Sequence, residues 1–364
     1  MIPVQNVYYM LSYAFQVLNE QGYKNIATEQ FNNIAELCAA ILTKGISVQL
    51  KRGLGREYIP QTEVLSSPKG RFDLTESIKS CTIVKKQMAC SFDDFSVNSY
   101  MNRIIKTTVE LLFRSDVSKP RKKELRKLMV FFAEVDTLDV NTINWKTNYD
   151  RNNQTYRMLI SICYLVIKGL LQSSTDGSKR LMDFLDEQRM CRLYEKFILE
   201  YYRREISGIS ASASQISWQL DDGNNFLLPV MQTDIMLTDK NKTLIIDAKY
   251  YSHSTVTQYD SRTLHSGNLY QIFTYVKNKA IEIGDDSHEV AGMLLYAKTD
   301  DVIHPDNKYR MSGNTISVKT LDLNCDFREI ARQLSAIVEG YFGGVESDFS
   351  KMGGQINASI RDKG

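Results

Sequence analysis

The sequence lacks the short motifs that assign most enzymes to a class. Its six cysteines contain no CxxC pair and its four histidines no HExxH, so the spacing of a zinc site is missing. Without a GxxxxGK[ST] loop, the chain itself is expected to bind no nucleotide, and nucleotide energy would have to come from a partner. No apolar run reaches the roughly 18 residues of a membrane span, and no signal peptide is recognisable, so we expect free thiols in a reducing cytoplasm and no membrane contact.

Net charge is also small. The chain has 45 Lys and Arg against 43 Asp and Glu, a formal charge of +2, which does not indicate a nucleic-acid-binding protein. The charge is uneven, because residues 101–130 hold nine Lys or Arg and three Asp or Glu. Such a run is typically a solvated helix face, and a patch that contacts phosphates is the alternative.

At 364 residues, the chain is long enough for two domains. The first half shows helical periodicity and a stretch of short β-type runs with Gly and Pro turns, which suggests a small antiparallel sheet or barrel. The predicted helices cover residues 4–18, 31–42, 96–113, 122–132 and 157–171, and the β-type stretch covers 46–84. A Ser/Thr/Gly segment at 172–178 is the predicted domain boundary, which gives an N-terminal domain of residues 1–175.

The second half alternates helices and strands, which predicts an α+β or α/β domain over residues 176–345. Its predicted helices are 182–205, 268–282 and 327–341, and its predicted strands are 216–220, 227–237, 243–251 and 289–296. The last residues, 346–364, carry little pattern and are expected to be disordered.

A predicted hairpin brings two acidic residues together. If Thr238 pairs with Thr243, Asp234 falls opposite Asp247, and directly opposed Cβ atoms in a sheet lie roughly 4.5–5.5 Å apart. Two carboxylates this close repel each other unless a cation lies between them. A divalent ion with oxygen ligands fits this arrangement.

Lys249 follows Asp247 by two residues and therefore projects from the same face of the strand. The rest of this strand is apolar, so burying both charges is costly unless they are paired or bound to a metal. A structural salt bridge is the ordinary interpretation of an isolated D-x-K sequence.

Three further side chains make the metal-site interpretation stronger. Glu195 falls within the apolar face of a predicted helix. There it is either a half-buried residue with its hydrogen bonds made or a third carboxylate of the metal site. Gln271 and Tyr275 lie at i and i+4 on one helix face after the strand.

In this order and spacing, these residues resemble the PD-(D/E)xK nuclease superfamily, although Gln232 and Thr233 precede Asp234 where the motif has proline. The resemblance implies a C-terminal nuclease fold, a central mixed sheet flanked by helices, that hydrolyses DNA phosphodiesters. It also implies Asp234, Asp247 and Lys249 as the catalytic residues. Mg²⁺, with Mn²⁺ as an alternative, would be bound by Asp234, Asp247, the Ala248 carbonyl and, directly or through water, Glu195. Gln271 and Tyr275 would have supporting roles.

Most of the chain also resembles the McrC family, the nuclease subunits of 5-methylcytosine-specific McrBC restriction systems. The similar stretches are residues 2–14, 62–72, 228–251 and 265–271. This resemblance implies double-stranded DNA as substrate and a partner, an McrB-like AAA+ ring that hydrolyses GTP. The N-terminal domain would dock on that ring and stimulate its GTPase. Lys69, Arg71 and Arg151 lie in turn-like segments and are candidate partner contacts or plain surface charges. Two rival functions are a non-cleaving adaptor that only activates the GTPase and a stand-alone RecB-like repair nuclease.

Overall fold

The structure of the protein is a computed structural model that describes residues 2–15, 18, 23, 26, 29–149, 154–175, 187–251, 256–258, 261–301 and 303–343. Its contacts divide the chain into two compact units. The helical unit is Asn32–Leu181, and the sheet unit combines Met1–Phe31 with Met182–Gly364. Within the described ranges, no helix is both long and apolar enough to cross a membrane.

The helical unit combines helices with a small sheet. Numbered after α1 (Val4–Ala14) of the sheet unit, its elements are α2 (Ile34–Arg52), β1 (Glu57–Leu65), β2 (Arg71–Asp73), α3 (Leu74–Lys79), β3 (Met88–Ser96), α4 (Tyr100–Arg114), α5 (Lys119–Met129) and α6 (Gln154–Thr175). The strands form an antiparallel sheet in the order β1-β3-β2. The predicted small antiparallel sheet is confirmed, but its long third strand lies beyond the predicted stretch.

Helix α2 corrects the expectation that β structure starts at residue 46. The helix continues to Arg52, and Gly53 ends it with a positive φ of 91°. Ile46 and Val48 favour strands by intrinsic propensity. Ile46, however, continues the buried helical face of Cys38 and Leu42, and burial of that face against α6 outweighs the local preference.

The sheet unit is built on a mixed six-stranded sheet. Its elements after α1 are α7 (Glu187–Glu205), β4 (Ser210–Ser212), β5 (Gln215–Ile216), β6 (Met231–Gln232), β7 (Ile235–Asp239), β8 (Lys242–Lys249), β9 (Val256–Gln258), β10 (Ser261–Thr263), α8 (Ser266–Ile283), β11 (Glu289–Ala297), β12 (Asn307–Met311), β13 (Asn314–Leu321) and α9 (Phe327–Phe342). The order is β12-β13-β11-β8-β7-β4, with β11 parallel to both β8 and β13. The expected α+β architecture, a central mixed sheet flanked by helices, is confirmed.

Helix α8 packs very closely on the central strand β11. An added Cβ at Gly292 would lie 2.7 Å from a side-chain carbon of Ile272 and 2.8 Å from one of Val276. A larger residue at this position would therefore require these side chains or the helix to shift. The close packing fixes the height of α8 above the sheet, and α8 carries two of the predicted site residues.

Helix α1 belongs to the sheet unit, whereas the predicted N-terminal domain of residues 1–175 included it. The amide of Asn6 donates to the carbonyls of Leu323 and Cys325, both at 2.8 Å. The hydroxyl of Tyr13 donates to Glu205 Oε1 at 2.9 Å. Helical periodicity reveals that α1 has a face to bury but not which surface covers it. The expected disordered tail, residues 346–364, lies outside the described residues.

Candidate functional site

The hairpin of β7 and β8 has the predicted register. Thr238 pairs with Thr243, and the ladder continues to the pair Ile235 and Ile246. Asp234 and Asp247 are the next residues along the two chains. The backbone N–H of Ala248 donates to Asp234 Oδ2 at 3.0 Å, so the Asp234 carboxylate lies against β8 beside Asp247.

Asp234 owes this orientation to a break in the predicted strand 227–237. Strand β6 ends at Gln232 and β7 begins at Ile235. At the break, the backbone N–H and the hydroxyl of Thr233 both donate to the Ser214 carbonyl, at 3.0 and 2.9 Å. The ladder between β5 and β6 thus ends before Asp234. The Asp234 carboxylate extends instead to the neighbouring strand β8.

Asp247 is buried without adequate compensation. It is 1% exposed, and neither carboxylate oxygen receives a hydrogen bond of regular geometry. Lys249 Nζ lies 2.9 Å from Asp247 Oδ2 and forms an ion pair with it. Burial raises the pKa of Asp247, while the nearby Lys249 lowers it, and the net direction is upward.

Burial and neighbouring charges also shift the pKa values of Asp234 and Lys249. Burial, followed by the charges of Asp247 and Glu195, raises the pKa of Asp234 to about 8. Burial acts to lower the pKa of Lys249, but the Asp247 and Asp234 carboxylates raise it above its ordinary value. The three groups therefore form one cluster that carries more negative charge than positive when both carboxylates are ionised, which is costly at low dielectric.

Glu195 stands beside this cluster on α7. The Cys191 thiol donates to Glu195 Oε1 at 3.1 Å and lies 3.7 Å from the carbonyl oxygen of Ala248. Burial raises the pKa of Glu195, and the Asp247 charge adds to this. Among the described residues, no three acidic, His or Cys side chains are arranged to hold one ion by themselves. An ion at the Asp pair would therefore have to complete its ligands with backbone carbonyls or water.

Gln271 and Tyr275 connect Lys249 to the chain preceding Asp234. Lys249 Nζ donates to Gln271 Oε1 at 3.4 Å, and Gln271 Nε2 donates to the Tyr275 hydroxyl at 3.0 Å. That hydroxyl donates to the Gln232 carbonyl at 3.1 Å. The predicted helix pair therefore joins the site as a hydrogen-bonded chain.

Sequence reasoning missed several residues around Lys249. Buried Asn268 donates to the Tyr296 hydroxyl at 2.9 Å, and Tyr296 is the β11 partner of Lys249 in the strand register. Tyr251 donates to Asn268 Oδ1 at 3.3 Å. Cys191 was also missed, although its position four residues before Glu195 on the same helix could have indicated it.

The predicted partner contacts lie elsewhere. Lys69 Nζ lies 3.7 Å from the centre of the Phe92 ring, and Arg71 is exposed on β2. Both belong to the helical unit. Arg151 lies outside the described residues.

The donor set fits a hard divalent cation. Asp234, Asp247 and the Ala248 carbonyl supply oxygen ligands, the type that Mg²⁺ and Mn²⁺ prefer. The specific observation is that two buried carboxylates share one cation, Lys249, because a second buried negative charge without its own partner costs several kcal/mol.

The metal-free protein is expected to lose stability as pH rises. Asp234 has a pKa of about 8 in the folded chain, above its unfolded value, so folding favours its protonated form. This contribution is complete below about pH 4 and is lost as pH rises through about 8. The melting temperature measured in EDTA should fall as pH rises across this range, and the fall should be smaller for Asp234→Asn. A parent protein that becomes more stable over the same window would contradict the expected protonation.

The chain matches known restriction proteins over most of its length. The family model described as "McrBC 5-methylcytosine restriction system component" matches residues 4–297. A relative from Escherichia coli (strain K12), named Type IV methyl-directed restriction enzyme EcoKMcrBC, is 30% identical over 346 residues, which cover 93% of this chain and 98% of the relative.

Two solved structures from Thermococcus gammatolerans are also similar. One is a refined half-complex from a tetradecameric assembly of McrB AAA+ hexamers with bound McrC, with a TM-score of 0.46, 16% identity, and coverage of 92% of this chain and 76% of that chain. The other is the McrBC complex, with a TM-score of 0.36, 17% identity, and coverage of 47% and 55%. The family match and the Escherichia coli relative carry the assignment: this chain belongs to the family of McrBC 5-methylcytosine restriction system components.

Proposed function

We propose that this chain is the DNA-cleaving subunit of a modification-dependent restriction complex, and that it hydrolyses phosphodiesters at a divalent metal ion bound by Asp234 and Asp247. The observation that carries the proposal is the buried pair of carboxylates, Asp247 and Asp234, which among the described residues share the single nearby cation Lys249, 2.9 Å from Asp247. A metal ion would compensate the second negative charge, whereas a structural ion pair with Lys249 accounts for only one of the two carboxylates.

Each residue has a distinct role in the proposed reaction. Asp234, Asp247 and the Ala248 carbonyl would hold Mg²⁺ or Mn²⁺, which when bound polarises the phosphate and makes the attacking water more acidic. Lys249 orients that water and offsets the negative charge that develops on the phosphoryl group. Gln271 and Tyr275 hold Lys249 in place. Glu195 positions water near the ion.

The hydrogen-bonded chain behind Lys249 can be tested by removing one hydroxyl. Tyr275→Phe takes away the acceptor of Gln271 and the donor to Gln232. Loss of these hydrogen bonds is expected to raise the activation free energy of cleavage by about 1 kcal/mol, which makes cleavage about fivefold slower. Tyr270→Phe removes an exposed hydroxyl from the same helix and is the matched control. Equal cleavage rates for Tyr275→Phe and this control would show that Tyr275 has no supporting role.

The proposed partner is an McrB-like AAA+ ring that hydrolyses GTP. We propose that the chain docks on it through exposed apolar side chains on β2, on α3 and on the short 3-10 turn Thr82–Lys85 that follows α3, and stimulates its GTPase. We call these side chains, Phe72, Leu74, Ile78 and Val84, the apolar band. Several large apolar side chains exposed within one short stretch of chain are typical of a protein interface. Lys69 and Arg71 lie in the same sheet region and are candidate charged contacts.

The docking can be tested with one exposed residue. Val84 is 84% exposed, so Val84→Glu is expected to leave folding unchanged while placing a charge in the interface. We expect the stimulation of the partner's GTPase to fall about tenfold or more, in keeping with a hot-spot loss. Ile281→Glu, a change at another exposed apolar position, on α8 of the sheet unit, is the control. Unchanged stimulation by the Val84 variant would exclude the band as the docking surface.

The proposed function itself is tested with methylated duplex DNA, the partner, GTP and Mg²⁺, by reading cleavage and GTP hydrolysis together. We expect cleavage only with all components present. A non-cleaving adaptor would stimulate GTP hydrolysis without cutting DNA, and a stand-alone nuclease would cut without partner or GTP. Either outcome would overturn the proposal.

A further inference from the structure

Helix α5 exposes a row of positive charges. Lys119, Lys123 and Lys127 are four residues apart, so they lie along one face of the helix, and Arg126 lies beside them. All four are exposed. The opposite face packs inward through Leu125, which is fully buried. We call the four residues the basic row.

Little negative charge neutralises the basic row. The helix carries six Lys or Arg and a single acidic residue, Glu124. Glu124 is paired with Arg121 at 3.0 Å, and Arg121 also contacts Glu36 on α2. No ion pair or side-chain hydrogen bond to another described residue is formed by Lys119, Lys123 or Lys127. The small net charge of the whole chain therefore conceals a local positive face.

The basic row is held in place before any ligand binds. Ser118 caps the helix by accepting from the Arg121 N–H, and its hydroxyl donates to Glu36 Oε1 at 2.8 Å. The Arg126 guanidinium lies 5.2 Å from the centre of the Phe113 ring. Three cations with a rise of about 6 Å between neighbours span about 12 Å, over which one DNA strand presents several phosphates.

We propose that the basic row binds the phosphate backbone of duplex DNA without regard to sequence, as a DNA contact in the helical unit additional to the metal site. This inference rests on the proposed function, because it takes DNA as the ligand. A protein partner fits this row less well, because protein interfaces are depleted of lysine and centred on apolar side chains. The exposed apolar residues Val130 and Phe131 lie beyond the last cation of the row.

The test is the salt dependence of DNA binding by the full-length chain in EDTA, followed by fluorescence anisotropy with an unmethylated duplex. Each lost phosphate contact reduces the slope of log K against log salt by about 0.9. The variant Lys119→Gln/Lys123→Gln/Lys127→Gln is therefore expected to reduce the slope by about 2.7 and to weaken binding more than tenfold at low salt. Unchanged melting would show that the variant is folded.

Two controls make the result specific. Lys51→Gln/Lys240→Gln/Lys308→Gln removes the same charge from exposed positions on other elements and should leave the slope near that of the parent. Arginine at the three row positions keeps the charge and should retain the parent slope.

A row variant with the parent's slope would overturn the proposal. If that variant keeps the parent's slope but no longer stimulates the partner's GTPase, the basic row is instead a protein contact. A parent chain that does not bind DNA also overturns it. Because EDTA excludes cleavage, this failure remains distinct from failure of the metal site, which the cleavage assay measures.

Discussion

Replacing Asp247 with asparagine is expected to abolish DNA cleavage, by about a thousandfold or more, while the protein stays folded. The substitution keeps the side chain's shape but removes the charge that would hold the metal, and metal stabilisation of the transition state is worth several kcal/mol. Lys249 keeps the neighbouring Asp234 carboxylate as a partner, so the fold loses little with the Asp247 charge. Melting in EDTA should therefore be no lower than for the parent.

Asp239→Asn is the matched control for this change. Asp239 is an exposed carboxylate on the same hairpin, at the end opposite Asp247. It should leave both cleavage and melting unchanged. If Asp247→Asn cut DNA as fast as this control in the presence of partner, GTP and Mg²⁺, the proposed metal site would be wrong.

Replacing Lys249 with methionine is expected to damage both activity and stability. Cleavage should fall about a hundredfold or more, because a positioned cation no longer offsets charge in the transition state. The metal-free protein should also lose roughly 3 kcal/mol, since Asp247 remains buried without its cation at 2.9 Å. The loss should be larger at about pH 8 than at about pH 5, where protonation can relieve Asp247.

A double variant separates the two effects of Lys249. Lys249→Met/Asp247→Asn removes both charges, so most of the lost stability should return while cleavage stays absent. Chemical unfolding in EDTA measures the first effect and the cleavage assay measures the second. Equal stability of the parent and Lys249→Met at both pH values would indicate that the pair contributes nothing to the fold.

The parts of the site that follow from local rules could be predicted from the sequence. Alternation along the strand puts Asp247 and Lys249 on one face, and the length of the turn sets the pairing of Thr238 with Thr243. Neither rule depends on the rest of the fold. The direction of the Asp234 carboxylate does, because it needs the break at Thr233 that Ser214 holds from another segment.

Long-range packing explains the other differences. Helix α1 has a recognisable buried face, but its place against α7 in the sheet unit depends on residues nearly 200 positions later, such as Glu205. Likewise, the approach of Gln271 to Lys249 requires the close contact of α8 with Gly292. Periodicity marks which side of an element is buried, and only tertiary contacts specify its partner.

The central claim is that Asp234 and Asp247 hold a divalent metal ion. Calorimetric titration of the metal-free chain with Mn²⁺ at about pH 7, in buffers of different ionisation enthalpy, tests it most directly. Because Asp234 has a pKa of about 8 in the folded chain, binding should release about one proton per ion. Asp247→Asn should abolish the binding, and Asp239→Asn should not affect it. Binding of Mn²⁺ by Asp247→Asn with the parent's affinity and proton release would contradict the claim.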